Sequence, residues 1–104
     1  RMMRMSTNCK VTDIQVKKLK EDDGEVSFAI KATITRILSI DGYGDDDKDV
    51  MIEIQGCDAE GFERTIIFLE GTVPVGVSKT LTKRDTYYDG DFNEIVSWMP
   101  KFDV

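Results

Sequence analysis

The residues best suited to chemistry lie together near the C-terminus, in the run KRDTYYDGDF. Lys83 and Arg84 stand beside Tyr87, Tyr88 and Phe92. Basic groups interleaved with aromatic rings are what a single-stranded nucleic acid asks for, since cations meet phosphates and rings stack on bases. Asp85, Asp89 and Asp91 sit in the same run and oppose a phosphate. Read without a ligand, the run is an ordinary tyrosine-rich strand that packs one ring and exposes the other. Further cations that a strand face could present are Lys31, Arg36 and Arg64.

Other chemistries have less to stand on. The chain has no histidine, so no nucleophile–histidine pair can be assembled. It contains no glycine-rich phosphate loop and no zinc-type ligand spacing. Asp41, Asp45, Asp46, Asp47 and Asp49 could gather a hard cation. Their spacing lacks the glycine and closing glutamate of a calcium loop, and they read as a solvated acidic loop. The chain is therefore expected to be a binding module with no catalytic role, no cofactor and no metal.

Bulk composition bounds the partners. The 104 residues suit one domain, residues 1–104, with residues 1–9 a flexible N-terminal arm (RMMRM) whose methionines and arginines suit docking onto a partner. A chain starting at Arg1 reads as a fragment or a processed product. The net charge of −6 disfavours a protein that lives by backbone attraction alone. The charge is uneven, however: residues 1–40 carry eight basic and five acidic groups, and residues 41–104 six basic and fifteen acidic. No apolar run is long enough to span a bilayer, so no membrane partner is expected. Cys9 and Cys57 are too few for a disulfide framework and read as reduced thiols in a soluble protein of a reducing intracellular compartment, the alternative being one bridge if their strands lie close.

The elements that must position these residues are strands. Alternation with period two runs through most of the chain. CKVTDIQVKKLK is a first strand whose parity slips between Val11 and Ile14, the mark of a bulge. EDDG, residues 21–24, is a tight turn. Val26, Phe28, Ile30, Ala32, Ile34, Leu38 and Ile40 then fall on one side of a long second strand, which bends near Arg36 and Ile37. Residues 41–49 are a loop. Val50, Ile52 and Ile54 face one way on the next strand, and DAEG, residues 58–61, closes a hairpin onto FERTIIFLEG. In that strand Ile66 and Phe68 are expected inward. Ile67 and Leu69 are expected outward, and with Met51 they would either form a protein interface for a partner or for self-assembly or be covered by the N-terminal strand, residues 10–19. Pro74 breaks the chain before VSKTLTK. Asp89-Gly90 predicts a final hairpin, the alternative being a short helix capped by Asp91.

This is an all-β chain with local connections. It is expected to be a small OB-like Greek-key barrel preceded by an extra N-terminal strand, the alternative being a seven-stranded β-sandwich. FAIKATITRIL, a variable loop, and VMIEIQGCDAEGFERTIIF resemble the first three strands of the OB domains of the replication protein A-like single-stranded-DNA-binding group. That resemblance implies a ligand lying across the second and third barrel strands and the neighbouring loops. Two function classes follow. One is a single-stranded nucleic-acid binder, or a subunit of such a complex, acting through Lys31, Arg36, Arg64, Lys83, Arg84, Tyr87, Tyr88 and Phe92. The other is a structural or assembly protein, such as a virion or complex component, acting through Met51, Ile67 and Leu69.

Overall fold

The structure, a computed structural model, describes residues 9–37 and 49–101. The chain is all-β, built as two antiparallel three-stranded sheets. The strands are β1 (Cys9–Asp22), β2 (Glu25–Arg36), β3 (Asp49–Cys57), β4 (Glu63–Thr72), β5 (Ser78–Tyr87) and β6 (Ser97–Lys101). One sheet has the order β1-β2-β5 and the other β4-β3-β6. No hydrogen-bonded pair joins the two sheets among the described residues, so the expected closed barrel is not formed. The strands instead form a sandwich of six, the first of them the extra N-terminal strand.

Alternation explains the sandwich. On β2 the buried residues are Val26, Phe28, Ile30, Ala32, Ile34 and Arg36, every second position. On β3 they are Val50, Ile52 and Ile54. Each sheet thus turns one apolar face inward and leaves a polar face to water, as an antiparallel sheet can. Phe28, Ile30, Ile34, Ile52, Ile54, Ile67, Leu69 and Val73 are fully enclosed between the sheets. Each such side chain contributes about 1.5–3 kcal/mol relative to exposure. An aromatic group fills one end of the core: Phe28 lies 5.0 Å from Phe92 and 5.7 Å from Trp98, and Tyr87 lies 6.2 Å from Phe92, all centroid to centroid.

The turns use residues that tolerate unusual backbone. Asp23 and Gly24, with φ of 53° and 86°, join β1 to β2 as a two-residue hairpin turn. Asp13, with φ of 55°, forms the bulge in β1, and the register slips there between Thr12 and Gln15. Aspartate accepts this left-handed conformation more readily than most residues. The β3–β4 turn is organised by Asp58, whose Oδ1 accepts from the Glu60 and Phe62 N–H groups at 2.9 Å each.

Two expectations about pairing are corrected. β4 faces the other way round: Ile67 and Leu69 are 1% and 0% exposed, whereas Phe68 is 37% exposed. Both faces of that strand carry apolar side chains, so alternation alone could not choose. Pairing does choose, by setting Ile67 opposite Ile54 and Leu69 opposite Ile52, the enclosed face of β3. The final hairpin at Asp89-Gly90 does not form either. Asp91 instead caps a 3-10 turn, Phe92–Glu94, its carboxylate accepting from the Asn93 N–H at 2.9 Å. The chain then crosses to the other sheet, where β6 pairs with β3. The expected bend at Arg36 and Ile37 coincides with the end of β2 at Arg36. Leu38, Ile40, most of the aspartate-rich loop, and the N-terminal arm lie outside the described residues.

Candidate nucleic-acid interface

The outward face of β1-β2-β5 gathers positive charge. Strand register sets out its rows: Lys20, Ser27 and Thr86; Lys17, Ala29 and Arg84; Gln15, Lys31 and Thr82; Thr12, Thr33 and Thr80; Lys10, Thr35 and Ser78. All five cations in these rows are exposed. Thr35 Oγ1 and Ser78 Oγ lie 2.7 Å apart across the β2–β5 ladder, so the polar positions of neighbouring strands meet on one side. The face is about 10 Å wide between outer strands and roughly 27 Å long. It carries lysine, arginine, threonine and serine, and no carboxylate stands in its rows. The carboxylates on its strands are Asp13 in the bulge, Glu21, Asp22 and Glu25 at the hairpin end, and Asp85, which follows Arg84 on the opposite parity of β5. No aromatic side chain stands in the rows either. Tyr88, 65% exposed, follows the last residue of β5.

The two sheets differ in charge. The strands of β1-β2-β5 hold nine basic and five acidic residues, and those of β4-β3-β6 two basic and four acidic. The excess on the first sheet is what a chain of net charge −6 would need to attract a polyanion locally.

The sequence-predicted cations separate on this frame. Lys31 and Arg84 stand on the outward face. Lys83 is exposed but alternates to the other side of β5, opposite Ile30. Arg36 is 5% exposed, its Nη1 donating to the Val73 carbonyl at 3.4 Å, so it faces the interior rather than a ligand. Arg64 belongs to the other sheet. Its Nη1 lies 3.4 Å from Asp58 Oδ2 and its Nη2 3.1 Å from Glu94 Oε1. The Tyr87 oxygen, followed by Glu94, pushes the Arg64 guanidinium up from its ordinary value. Burial pushes the Asp58 carboxyl up, but the Phe62 and Glu60 N–H groups together with Arg64 outweigh it and hold the group below its ordinary value. The hollow beside this cluster is lined by Asp58, Glu60 and Glu94 as well as Arg64, a setting that repels phosphate.

The aromatic candidates separate as well. Tyr87 is 2% exposed and Phe92 packs partly buried against Phe28, Tyr87 and Trp98, so both belong to the core end rather than to a stacking platform. Only Tyr88 of the three remains open to a base.

Sequence reasoning missed Lys10, Lys17 and Lys20, although their pattern was visible. Once the bulge at Asp13 and a second slip between Lys18 and Lys20 are allowed for, they fall with Thr12 and Gln15 on the outward side of the first strand. On the opposite sheet, Ile66, Phe68 and Met99 share the outward face with Met51, interrupted by Glu53, Gln55, Glu70 and Lys101.

No protein-family model, curated protein or solved structure matches the chain.

Proposed function

We propose that the chain is a non-enzymatic binding module that holds single-stranded nucleic acid on the outward face of β1-β2-β5. The observation that carries this reading is the concentration of Lys10, Lys17, Lys20, Lys31 and Arg84 on one polar face, without a carboxylate in its rows, in an acidic chain. Backbone attraction needs clustered cations, and the flanking hydroxyls can donate to phosphate oxygens. The OB-like expectation placed the ligand on the second and third barrel strands. Here the favoured face is that of the extra N-terminal strand, the long strand and β5, with Tyr88 at one end to stack a base.

The test is fluorescence anisotropy of a labelled mixed-sequence single strand at low and at physiological salt. Binding that weakens with salt, and that falls when Lys17 and Lys31 become alanine, supports the reading. Absence of binding at low salt overturns it.

A second reading, assembly through a protein partner, is favoured by one observation. Phe68 and Met99 are apolar yet exposed on the outward face of β4-β3-β6, with Ile66 half-buried on the same face. Under that reading Phe68→Asp dissociates a defined oligomer or heteromer, and a monomer before and after the change argues against it.

A further inference from the structure

The basic face is not flat. A depression of about 290 Å³ opens in it, lined by Gln15, Lys17, Ala29, Lys31 and Thr82, with Val16 and Ile30 completing it. All three strands of the sheet contribute. Its centre is Ala29, the one residue without a polar group among Ser27, Ala29, Lys31, Thr33 and Thr35 on the outward side of β2.

We infer that this depression seats one nucleotide of the bound strand, its base against the Ala29 methyl and its phosphates on Lys17, Lys31 and Arg84. The inference rests on the nucleic-acid reading above and adds where, and by which part, the strand is held. A methyl floor offers a phosphate nothing, but it suits the apolar face of a base. Lysine stems along the walls add apolar surface while their ammonium groups stay at the rim. Lys17 and Arg84 flank Ala29 on its two sides in one row, about 10 Å apart. Gln15 and Thr82 bracket Lys31 in the next row and bring a donor and an acceptor each, enough to meet a base edge. The volume falls at the bottom of the range for small-ligand pockets, about 300–1,000 Å³, which is room for one nucleotide and not for a run of them.

The test compares two labelled probes of equal length, a mixed-sequence single strand and an abasic single strand, on the wild-type chain and on Ala29→Leu. Leucine occupies the floor of the depression, where the base would lie, and leaves the charge unchanged. Ala29→Thr is the companion variant, because threonine already occupies Thr33, Thr80 and Thr82 on the same face and is at home in a strand. The wild-type chain is expected to bind the mixed-sequence strand roughly tenfold more tightly than the abasic one, as loss of one base-sized apolar contact implies. Ala29→Leu is expected to cut that preference to the part that Tyr88 stacking supplies and Ala29→Thr to reduce it by less, with the salt dependence unchanged in both. Equal binding of the two probes by the wild-type chain overturns the seat, as does a preference that neither substitution diminishes. If binding in those cases still falls in the Lys17→Ala, Lys31→Ala variant, the nucleic-acid reading stands without the seat. If neither probe binds at low salt, both fall.

Discussion

Replacing Lys17 and Lys31 together by alanine removes two of the cations on the outward face of β1-β2-β5 without touching the core, since both side chains are exposed. The size of the effect follows from counterion release. Each phosphate neutralised on a single strand contributes about 0.7 to the slope of log K against log salt. Lys17, Lys20, Lys31 and Arg84 lie in three adjacent rows, with Lys10 two rows farther along. Four contacts give a slope of about 2.8 and five about 3.5. Between about 50 and 200 mM salt the Kd of the wild-type chain is then expected to rise about 50- to 130-fold. The double variant loses about 1.4 from the slope, and the same change in salt should cost it only about 7- to 18-fold. Lys79→Ala with Lys83→Ala is the matched control. It removes the same charge from the opposite parity of β5, where the partners are Ile34 and Ile30. Anisotropy titrations at several salt concentrations read all three slopes. A wild-type slope below about 1 would refute the face as a phosphate-binding surface. Equal losses in the double variant and in the control would show that net charge, not this face, drives association.

Other consequences are smaller but independent. Asp22→Asn with Glu25→Gln removes the carboxylates at the hairpin tip beside Lys20, and anisotropy should show binding about two- to sixfold tighter, the worth of two charges acting across roughly 8 Å of water with and without screening by salt. Arg64→Ala should leave single-strand affinity unchanged, because Asp58 and Glu94 already hold that guanidinium, while thermal unfolding should show a loss of stability. Gly56→Ala should lower stability by about 1–3 kcal/mol, since a Cβ there would come 2.8 Å from both Ile95 Cγ2 and the Trp98 ring; Gly71→Ala should cost less, because its 2.6 Å clash is with the end of the Leu81 side chain, which can turn away. Asp58 carries a carboxyl held below its ordinary value of 3.8, so the stability it contributes is fully present above that value and lost as pH falls through the lower folded-state value. Denaturant midpoints followed from neutral pH into acid should decline less steeply in Asp58→Asn, and equal slopes would remove Asp58 from the account.

The core was legible because it obeys one rule. Val26, Phe28, Ile30, Ala32 and Ile34 alternate without a break, and so do Val50, Ile52 and Ile54, so each strand can bury only one face. The slip between Val11 and Ile14 was legible for the same reason and corresponds to the bulge at Asp13. What alternation does not carry is the choice between equals. Ile66 to Leu69 is apolar at every position, and only the partner strand decides which pair is enclosed. Closure was beyond reach too. Barrel and sandwich share the same strand pattern and differ in whether β2 and β3 pair with each other, a non-local fact that no short window encodes.

The candidate site shows the same limit from the functional side. Charge and ring content drew attention to KRDTYYDGDF, yet that run divides among three environments. Arg84 faces outward, Tyr87 and Phe92 pack at the end of the core, and Tyr88 lies open. Residue type marked the run, but burial assigned the roles. The first strand teaches the converse. Lys10, Lys17 and Lys20 are unremarkable as single lysines, and gain their meaning only when β2 sets them in register beside Thr35, Ala29 and Ser27. A long-range ladder converts scattered charges into a surface, and here it does so across two shifts of parity in β1, the bulge at Asp13 and the slip between Lys18 and Lys20. Deleting Asp13 should therefore regularise the ladder rather than break it. Ile14 would stand alone opposite Ala32, between Thr12 opposite Thr33 and Gln15 opposite Lys31, so Val11 and Ile14 keep the inward side and Lys10 and Thr12 the outward one. The expected result is a stability no lower than that of the wild-type chain, with the salt slope of single-strand binding kept. Thermal unfolding alongside anisotropy checks it: a marked loss of stability and of the slope would show that the bulge residue itself holds the register of β1.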